Sequence, residues 1–304
     1  MCKSEIFGMR GPSSVTAVFL RIVTLLWVLL SASGCAWLDA QQRQLIYRPT
    51  PASAADATGL RPGDQRYFLD VPQAEADAVQ RIELWWLPHA NQDAPTLLYL
   101  HGTFRDLHDN LHKIDALREA GFSVLAVDYR GWGRSTPIIP SEQTIMKDAR
   151  LAWAELVRRE LRPAQRVVYG HSMGSGVAVD LASKMASQSD YGALILESAF
   201  TSFSDVAREA GGLATVLAWF GNERFASINK IASVQVPLLM IHGNQDTTVP
   251  ARLGQRLFAA ANAPKQWLGI EGGEHSNLNQ VASAPYQQTL QGFRLQYLSN
   301  PRPP

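Results

Sequence analysis

The sequence predicts a doubly wound, mostly parallel α/β sheet of eight strands carrying a small helical cap. Three observations predict it. Short apolar runs alternate with amphipathic helical stretches from about residue 65 onward, the order that builds layered α/β folds. The later runs, such as Thr96–Leu100, Ser123–Asp128 and Ala193–Leu196, are apolar at nearly every position, as in strands buried on both faces. The 304 residues, 46% of them hydrophobic, suit one α/β domain and exclude wholesale disorder.

The strands expected, in order, are Arg66–Val71, Arg81–Leu87, Thr96–Leu100, Ser123–Asp128, Arg166–Tyr169, Ala193–Leu196, Pro237–Ile241 and Gln266–Ile270. After the third, Leu107, Leu111, Ile114 and Leu117 form a helical stripe that Gly121 ends as a C-cap. Ile145–Leu161 is a second helix, stopped by Pro163. Met173–Ala186 follows the fifth strand directly, and Ala251–Ala263 and Ala284–Leu298 complete the set. Thr201–Val236 is too long for a plain loop, which places the cap at about residues 201–236.

The balance of 28 basic and 27 acidic residues gives a net charge of +1 and no reason to expect a nucleic-acid partner. Only two cysteines occur, Cys2 and Cys35, which excludes a disulfide framework and a Cys-rich zinc site. Residues 1–21 hold Lys3, Arg10 and Arg21 against one acid, Glu5; the apolar run Ile22–Leu30 follows, then Ser31-Ala32-Ser33-Gly34-Cys35. A basic start, a short apolar run and small residues predict a secretory signal. Such a run spans about 14 Å as a helix against roughly 30 Å of hydrocarbon, so a retained spanning helix is the weaker reading.

Small residues leading into Gly-Cys are similar to the lipobox of bacterial lipoproteins, with Ala32 standing where Leu is commonest. That resemblance implies cleavage before Cys35 and lipid on its sulfur and amino group. Ala36 follows the cysteine, not Asp, and the resemblance to Gram-negative lipoproteins, in which Asp there favours retention at the inner membrane, implies the outer membrane. The expected division is a signal peptide over 1–34, a lipidated tether over 35–64 and a folded domain over 65–304. The 270 residues after the cut carry 25 basic and 26 acidic groups, so no polybasic surface supplements the acyl anchor.

The strongest chemical signal is Tyr169-Gly170-His171-Ser172-Met173-Gly174, which lies between an apolar strand and a helix. Gly-x-Ser-x-Gly in that setting is a nucleophile elbow: the sharp turn exposes the hydroxyl of Ser172, and the glycines make room for it. The helix start adds a dipole and a free N–H, from Met173, aimed at a developing oxyanion.

With His101-Gly102-Thr103, Asp128–Ser135, Glu197–Ser202, His242–Asp246 and Gly272–Ser276 in order, the chain resembles the α/β-hydrolase superfamily over roughly residues 65–300. More narrowly, it looks like the membrane-associated α/β-hydrolase-domain proteins that include depalmitoylating thioesterases and their bacterial relatives. The resemblance makes Asp246, just past the seventh strand, the acid and His275, after the last strand, the base. It makes the backbone of Thr103 the second oxyanion donor beside Met173. Asp246 and His275 follow Ser172 by 74 and 29 further residues, in the superfamily's order. Glu197 and Asp128, each at a strand end, are the rival carboxylates; Glu197 reads as structural and Asp128 as a brace for the Tyr129–Ser135 loop.

His108 and His112 are spaced i, i+4 like a zinc pair, but Asp109 is not Glu and no third ligand is evident, so a solvated face is the better account. His101, His171 and His242 read as packing residues. No phosphate loop, dinucleotide fingerprint or cofactor requirement is visible. The expectation is a lipid-anchored serine hydrolase of the bacterial envelope, facing the periplasm and acting on esters or thioesters of acyl groups, palmitate among them. The apolar cap residues Leu213, Val216, Leu217, Trp219, Phe220 and Phe225 read either as an acyl site or as packing of the cap on the sheet. The alternatives are an amide-cleaving peptidase and a non-catalytic envelope lipoprotein on the same scaffold.

Overall fold

The structure, a computed structural model, describes residues 37–51, 59–72, 78–185, 189–212 and 223–298. Cys35, the expected signal, and the cap residues Leu213, Val216, Leu217, Trp219 and Phe220 lie outside the described residues. The chain divides into two compact units, Met1–Gln42 and Arg43–Pro304. No helix among the described residues is long and apolar enough to cross a membrane.

The second unit is built on eight strands: β1 (Gln65–Asp70), β2 (Arg81–Leu87), β3 (Thr96–Leu100), β4 (Ser123–Asp128), β5 (Arg166–His171), β6 (Ala193–Glu197), β7 (Leu238–Gly243) and β8 (Lys265–Ile270). They form one sheet in the order β1-β2-β4-β3-β5-β6-β7-β8. β2 is antiparallel to both neighbours, and every pairing from β4 to β8 is parallel. All eight strands stand where the apolar runs put them; β2, β3 and β4 match at both ends and the others shift by one or two residues.

Seven helices flank the sheet in the described residues: α1 (Leu111–Glu119), α2 (Glu142–Arg159), α3 (Met173–Ala182), α4 (Phe203–Ala210), α5 (Ala251–Ala260), α6 (Leu278–Val281) and α7 (Ser283–Tyr297). Side-chain alternation along the strands sorts the core into two layers. Leu97, Tyr99, Val124, Ala126, Val167 and Tyr169 pack with α1 and α7 on one face. Leu98, Leu100, Leu125, Val127 and Val168 pack with α2, α3 and α5 on the other. Period-2 alternation thus places adjacent apolar residues in opposite cores.

Several helix ends depart from the sequence reading; α5, for one, stops at Ala260, not Ala263. α1 begins at Leu111 with Asn110 as its N-cap, so Leu107 and His108 precede it. α2 begins three residues before Ile145, because Ser141 and Thr144 form a capping box: Thr144 N–H donates to Ser141 Oγ at 3.2 Å, and Ser141 N–H to Thr144 Oγ1 at 2.9 Å. α3 stops at Ala182, not Ala186.

Within the stretch over 35–64, expected as a tether partly extended by its prolines, residues 37–47 are helical instead. Tyr47 is completely buried in the core. Its ring meets Trp132 and Phe225 edge-on, each at 6.3 Å between centroids, and its hydroxyl donates to Glu223. Gly133 N–H donates to Thr50 O at 2.9 Å, and Pro51 bridges to Gly133. Alanine and proline content announces an extended arm; it carries no information about the aromatic socket that Tyr47 fills. Phe225, the one expected cap residue that is described, lies against Phe203 at 4.5 Å between centroids with the rings tilted by 44°, and is buried as packing.

Candidate active site

The C-terminal ends of the parallel strands deliver the site, as open α/β sheets do. Ser172 sits between β5 and α3 with φ 53° and ψ −123°. A non-glycine residue at positive φ is a costly conformation that its surroundings must impose. They do so through close packing on either side. A Cβ at Gly170 would lie 2.2 Å from Gly174 O, and one at Gly174 only 2.0 Å from Leu100 O. Ser172 N–H donates to Glu197 O at 2.9 Å.

His275 and Asp246 arrive on the loops after β8 and β7. His275 Nε2 lies 2.8 Å from Ser172 Oγ, and His275 Nδ1 lies 2.8 Å from Asp246 Oδ2. The carboxylate fixes the tautomer: Nδ1–H donates to Asp246, which leaves Nε2 free to accept from the Ser172 hydroxyl. Asp246 is fixed in turn, because its Oδ1 accepts the N–H groups of Thr248 at 2.9 Å and Val249 at 2.8 Å. Burial works to raise its pKa, but hydrogen bonds from His242 and His275 outweigh burial and hold the carboxyl well below the usual range. His242 Nε2 lies 3.4 Å from Asp246 Oδ2 and 2.9 Å from Val249 O.

The rival carboxylates are engaged elsewhere. Glu197 is fully buried, bonded to Lys113, to the Tyr169 hydroxyl at 2.6 Å and to the Tyr286 hydroxyl at 2.8 Å. Asp128 braces two loops: its Oδ1 accepts Leu107 N–H at 3.0 Å, and its carbonyl accepts the Ser135 hydroxyl at 2.6 Å.

Met173 opens α3, so its N–H belongs to the first turn and has no intrahelical acceptor. The Thr103 loop is held by two carbonyls. Trp132 Nε1–H donates to Thr103 O at 2.7 Å, and His101 Nδ1 lies 2.6 Å from Gly102 O. Burial lowers the His101 pKa to about 4, so the ring is neutral and donates from Nδ1. A trans peptide points its N–H opposite its C=O; the Gly102 carbonyl that faces His101 therefore turns the Thr103 N–H away from the buried ring.

A cleft of ≈ 1180 Å³ opens over Ser172 and His275. Arg105, Asp109, His112, Asn244, Gln245 and Glu274 bring polar side chains to its wall, with Phe104 the large apolar side chain. No group of three or more His, Cys, Asp or Glu able to hold a metal ion occurs among the described residues. His108 lies outside α1, so it shares no helix face with His112.

The site brings Ser172, Asp246 and His275 into one hydrogen-bonded chain, with Met173 and Thr103 beside it. Sequence reasoning did not find the supports: His242 behind Asp246, and the buried Lys113–Glu197 pair. His242 carried a faint signal in its i, i+4 spacing from Asp246. Lys113 carried none, because a lysine beside an apolar stripe reads as solvated.

A family model described as serine aminopeptidase, S33 matches residues 92–229, a span that contains Ser172 but neither Asp246 nor His275. An uncharacterized protein of Mycobacterium tuberculosis is 36% identical over 258 residues, covering 82% of this chain and 86% of that one. The lysophosphatidylserine lipase ABHD12 of Danio rerio is 30% identical over 235 residues, covering 70% of this chain and 57% of that one. Among solved structures, an esterase of Pyrococcus furiosus superposes with a TM-score of 0.61 at 17% identity, covering 77% of this chain and 92% of that one. The sheet order, the strained serine between β5 and α3 and these relatives agree, and the chain belongs to the α/β-hydrolase superfamily.

Proposed function

We propose that this α/β hydrolase is a serine hydrolase that cleaves carboxylic esters or thioesters of acyl groups. The carrying observation is the 2.8 Å, 2.8 Å chain from Ser172 Oγ through His275 to Asp246. Ser172 Oγ attacks the acyl carbonyl while His275 Nε2 takes its proton. The oxyanion rests on the N–H groups of Met173 and Thr103. The imidazolium, steadied by Asp246, protonates the departing alcohol or thiol, and the acyl group stays on Ser172. Water, deprotonated by His275, then attacks the acyl-enzyme and releases the carboxylic acid.

The polar wall of the cleft favours a substrate with a polar leaving group, and the lipase activity in the name of the zebrafish relative is consistent with one acyl chain on a polar head. The aminopeptidase description of the matching family model favours a second reading, amide cleavage at the same triad. We also infer export and lipidation at Cys35, which would anchor the enzyme to the envelope, facing the periplasm from the outer membrane; the small residues before Cys35 support this.

The test uses the full-length chain in detergent. A fluorophosphonate probe should label wild type and not Ser172→Ala, and p-nitrophenyl esters of graded chain length should turn over. Faster cleavage of aminoacyl amides than of any ester would favour the peptidase reading. Absence of both labelling and turnover would leave a binding scaffold.

A further inference from the structure

His275 is held by its ring and also by its main chain. Its carbonyl oxygen accepts two hydrogen bonds, from His171 Nε2 at 3.0 Å and from the Ser198 hydroxyl at 3.0 Å. A ring nitrogen facing a carbonyl oxygen must carry a proton, so His171 is the Nε2–H tautomer. Among the described residues His171 Nδ1 has no hydrogen-bond partner. Burial first, then the nearby Lys113 ammonium, lowers the His171 pKa to about 3, so the donor is present across the neutral range.

Ser198 has φ 50°, a second strained non-glycine residue at a strand end. Its N–H donates to Ile241 O at 3.0 Å, which ties the end of β6 to β7 while the hydroxyl reaches the His275 loop. Strain of this kind persists where the fold over-determines it, and it concentrates at functional sites.

Beneath both donors lies Glu197. Its carbonyl receives Ser172 N–H, and its carboxylate receives Lys113, Tyr169 and Tyr286. Lys113 Nζ also stands 3.5 Å from the carbonyl of Ser276, the residue after the base. Lys113 and Glu197 are wholly buried. A buried ion pair seldom stabilises a fold more than apolar residues of equal volume would, so its place here is better explained by what it locates. The nucleophile's backbone and the base's loop are referred to one rigid residue.

We propose that His171 and Ser198 are positioning residues for His275, and that the buried Lys113–Glu197 pair fixes the seat from which they act. The inference rests on the serine-hydrolase reading above. The loop carrying His275, between β8 and α6, has no regular structure of its own, with Gly272 at φ 70° and Gly273 beside it. Two donors on its carbonyl replace the hydrogen bonds that a helix or strand would have supplied.

The test measures, on the full-length protein in detergent, the rate constant for fluorophosphonate labelling of Ser172 and the fraction labelled at saturation, with kcat and KM for p-nitrophenyl butyrate. Saturation counts folded sites, and the rate constant reads activation per site. His171→Leu and Ser198→Ala should slow labelling and lower kcat about 10- to 100-fold, the scale of loss from a misplaced catalytic group, with KM nearly unchanged. His171→Gln, whose amide N–H reaches the place of Nε2, should recover most of the rate lost in His171→Leu. Lys113→Met combined with Glu197→Gln, which removes both buried charges together, should also slow labelling per site. Wild-type rate constants in His171→Leu and Ser198→Ala would overturn the proposal while leaving the enzyme reading intact. So would a His171→Gln variant as slow as His171→Leu. Wild type that never labels would overturn both.

Discussion

Ser172 N–H donates to the carbonyl of Glu197 at 2.9 Å, continuing past its last paired residue the ladder in which His171 lies beside Glu197. The nucleophile thus leaves the sheet while still tied to the neighbouring strand. That tie, with the glycines on either side, sets its unusual backbone.

Gly174→Ala should be among the most damaging single changes to the domain. Its methyl would meet the backbone carbonyl of Leu100, which belongs to a central strand and has nowhere to move. Overpacking of this kind costs about 3 kcal/mol or more. Urea unfolding followed by circular dichroism should show that loss, with probe labelling of Ser172 abolished; a variant as stable as wild type would contradict the elbow packing described above.

Asp246→Asn should keep the fold and lose the chemistry. An amide presents the wrong group to His275 Nδ1, and kcat should fall about 10³- to 10⁴-fold with little change in KM, the size of effect expected of a lost tautomer anchor. The carboxyl of Asp246 is held below its unfolded value, so the stability it confers is complete above about pH 4 and fades as pH falls through its lower folded value. The gap in melting temperature between wild type and Asp246→Asn should therefore narrow below pH 4. A gap that widened on acidification would be wrong in sign.

Glu197 offers a second pH test, independent of catalysis. Burial works to raise its pKa, but the Lys113 charge, the neighbouring His171 and the hydrogen bonds from Lys113 and Tyr169 together outweigh burial and bring the carboxyl down to about 2. Its contribution to stability is present above the ordinary glutamate range and is lost as pH falls toward 2. Glu197→Gln should be destabilising at pH 7, and the deficit should shrink steadily between pH 5 and pH 3 in thermal melts. A deficit independent of pH would mean that Glu197 is not charged in the native protein.

Tyr47→Ala should destabilise the domain by about 3 to 5 kcal/mol, as for other fully buried aromatic truncations. Tyr47 packs against Trp132, Phe203 and Phe225 and bonds to Glu223. An exposed spacer would show a change within about 0.5 kcal/mol, which chemical denaturation distinguishes readily.

Cys35→Ala should abolish signal processing and metabolic acyl labelling. Wild type should partition with membranes and carry label, and the variant should accumulate as an unlabelled, longer form on gels. Labelling that persists in the variant would refute lipidation at this cysteine.

The strands and the nucleophile were legible because their signals are local, whereas the acid and base were expected from the family resemblance. A strand buried on both faces writes itself as a continuous apolar run, and the elbow needs its glycines within two residues of Ser172. The start of α2 was missed because its capping box uses Thr144 where the commoner pattern has Glu or Gln. The seat of Tyr47 was missed because a socket assembled from Trp132, Phe203 and Phe225 has no footprint near residue 47.

By itself the sequence determined the α/β class, the order of strands and helices along the chain, and the nucleophile elbow at Ser172; Asp246 and His275 were expectations carried by the family resemblance. The class, the element order and the elbow depend on residue type, periodicity or spacing along the chain. The tertiary structure shows which carboxylate meets the histidine. Glu197, Asp128 and Asp246 all end strands or follow them, and only the sheet order places Asp246 2.8 Å from His275 while Lys113 and two tyrosines claim Glu197. The physical reason is distance in the chain. Lys113 and Glu197 lie 84 residues apart, and two charges so separated meet only when folding removes both from water and leaves each as the other's counter-ion.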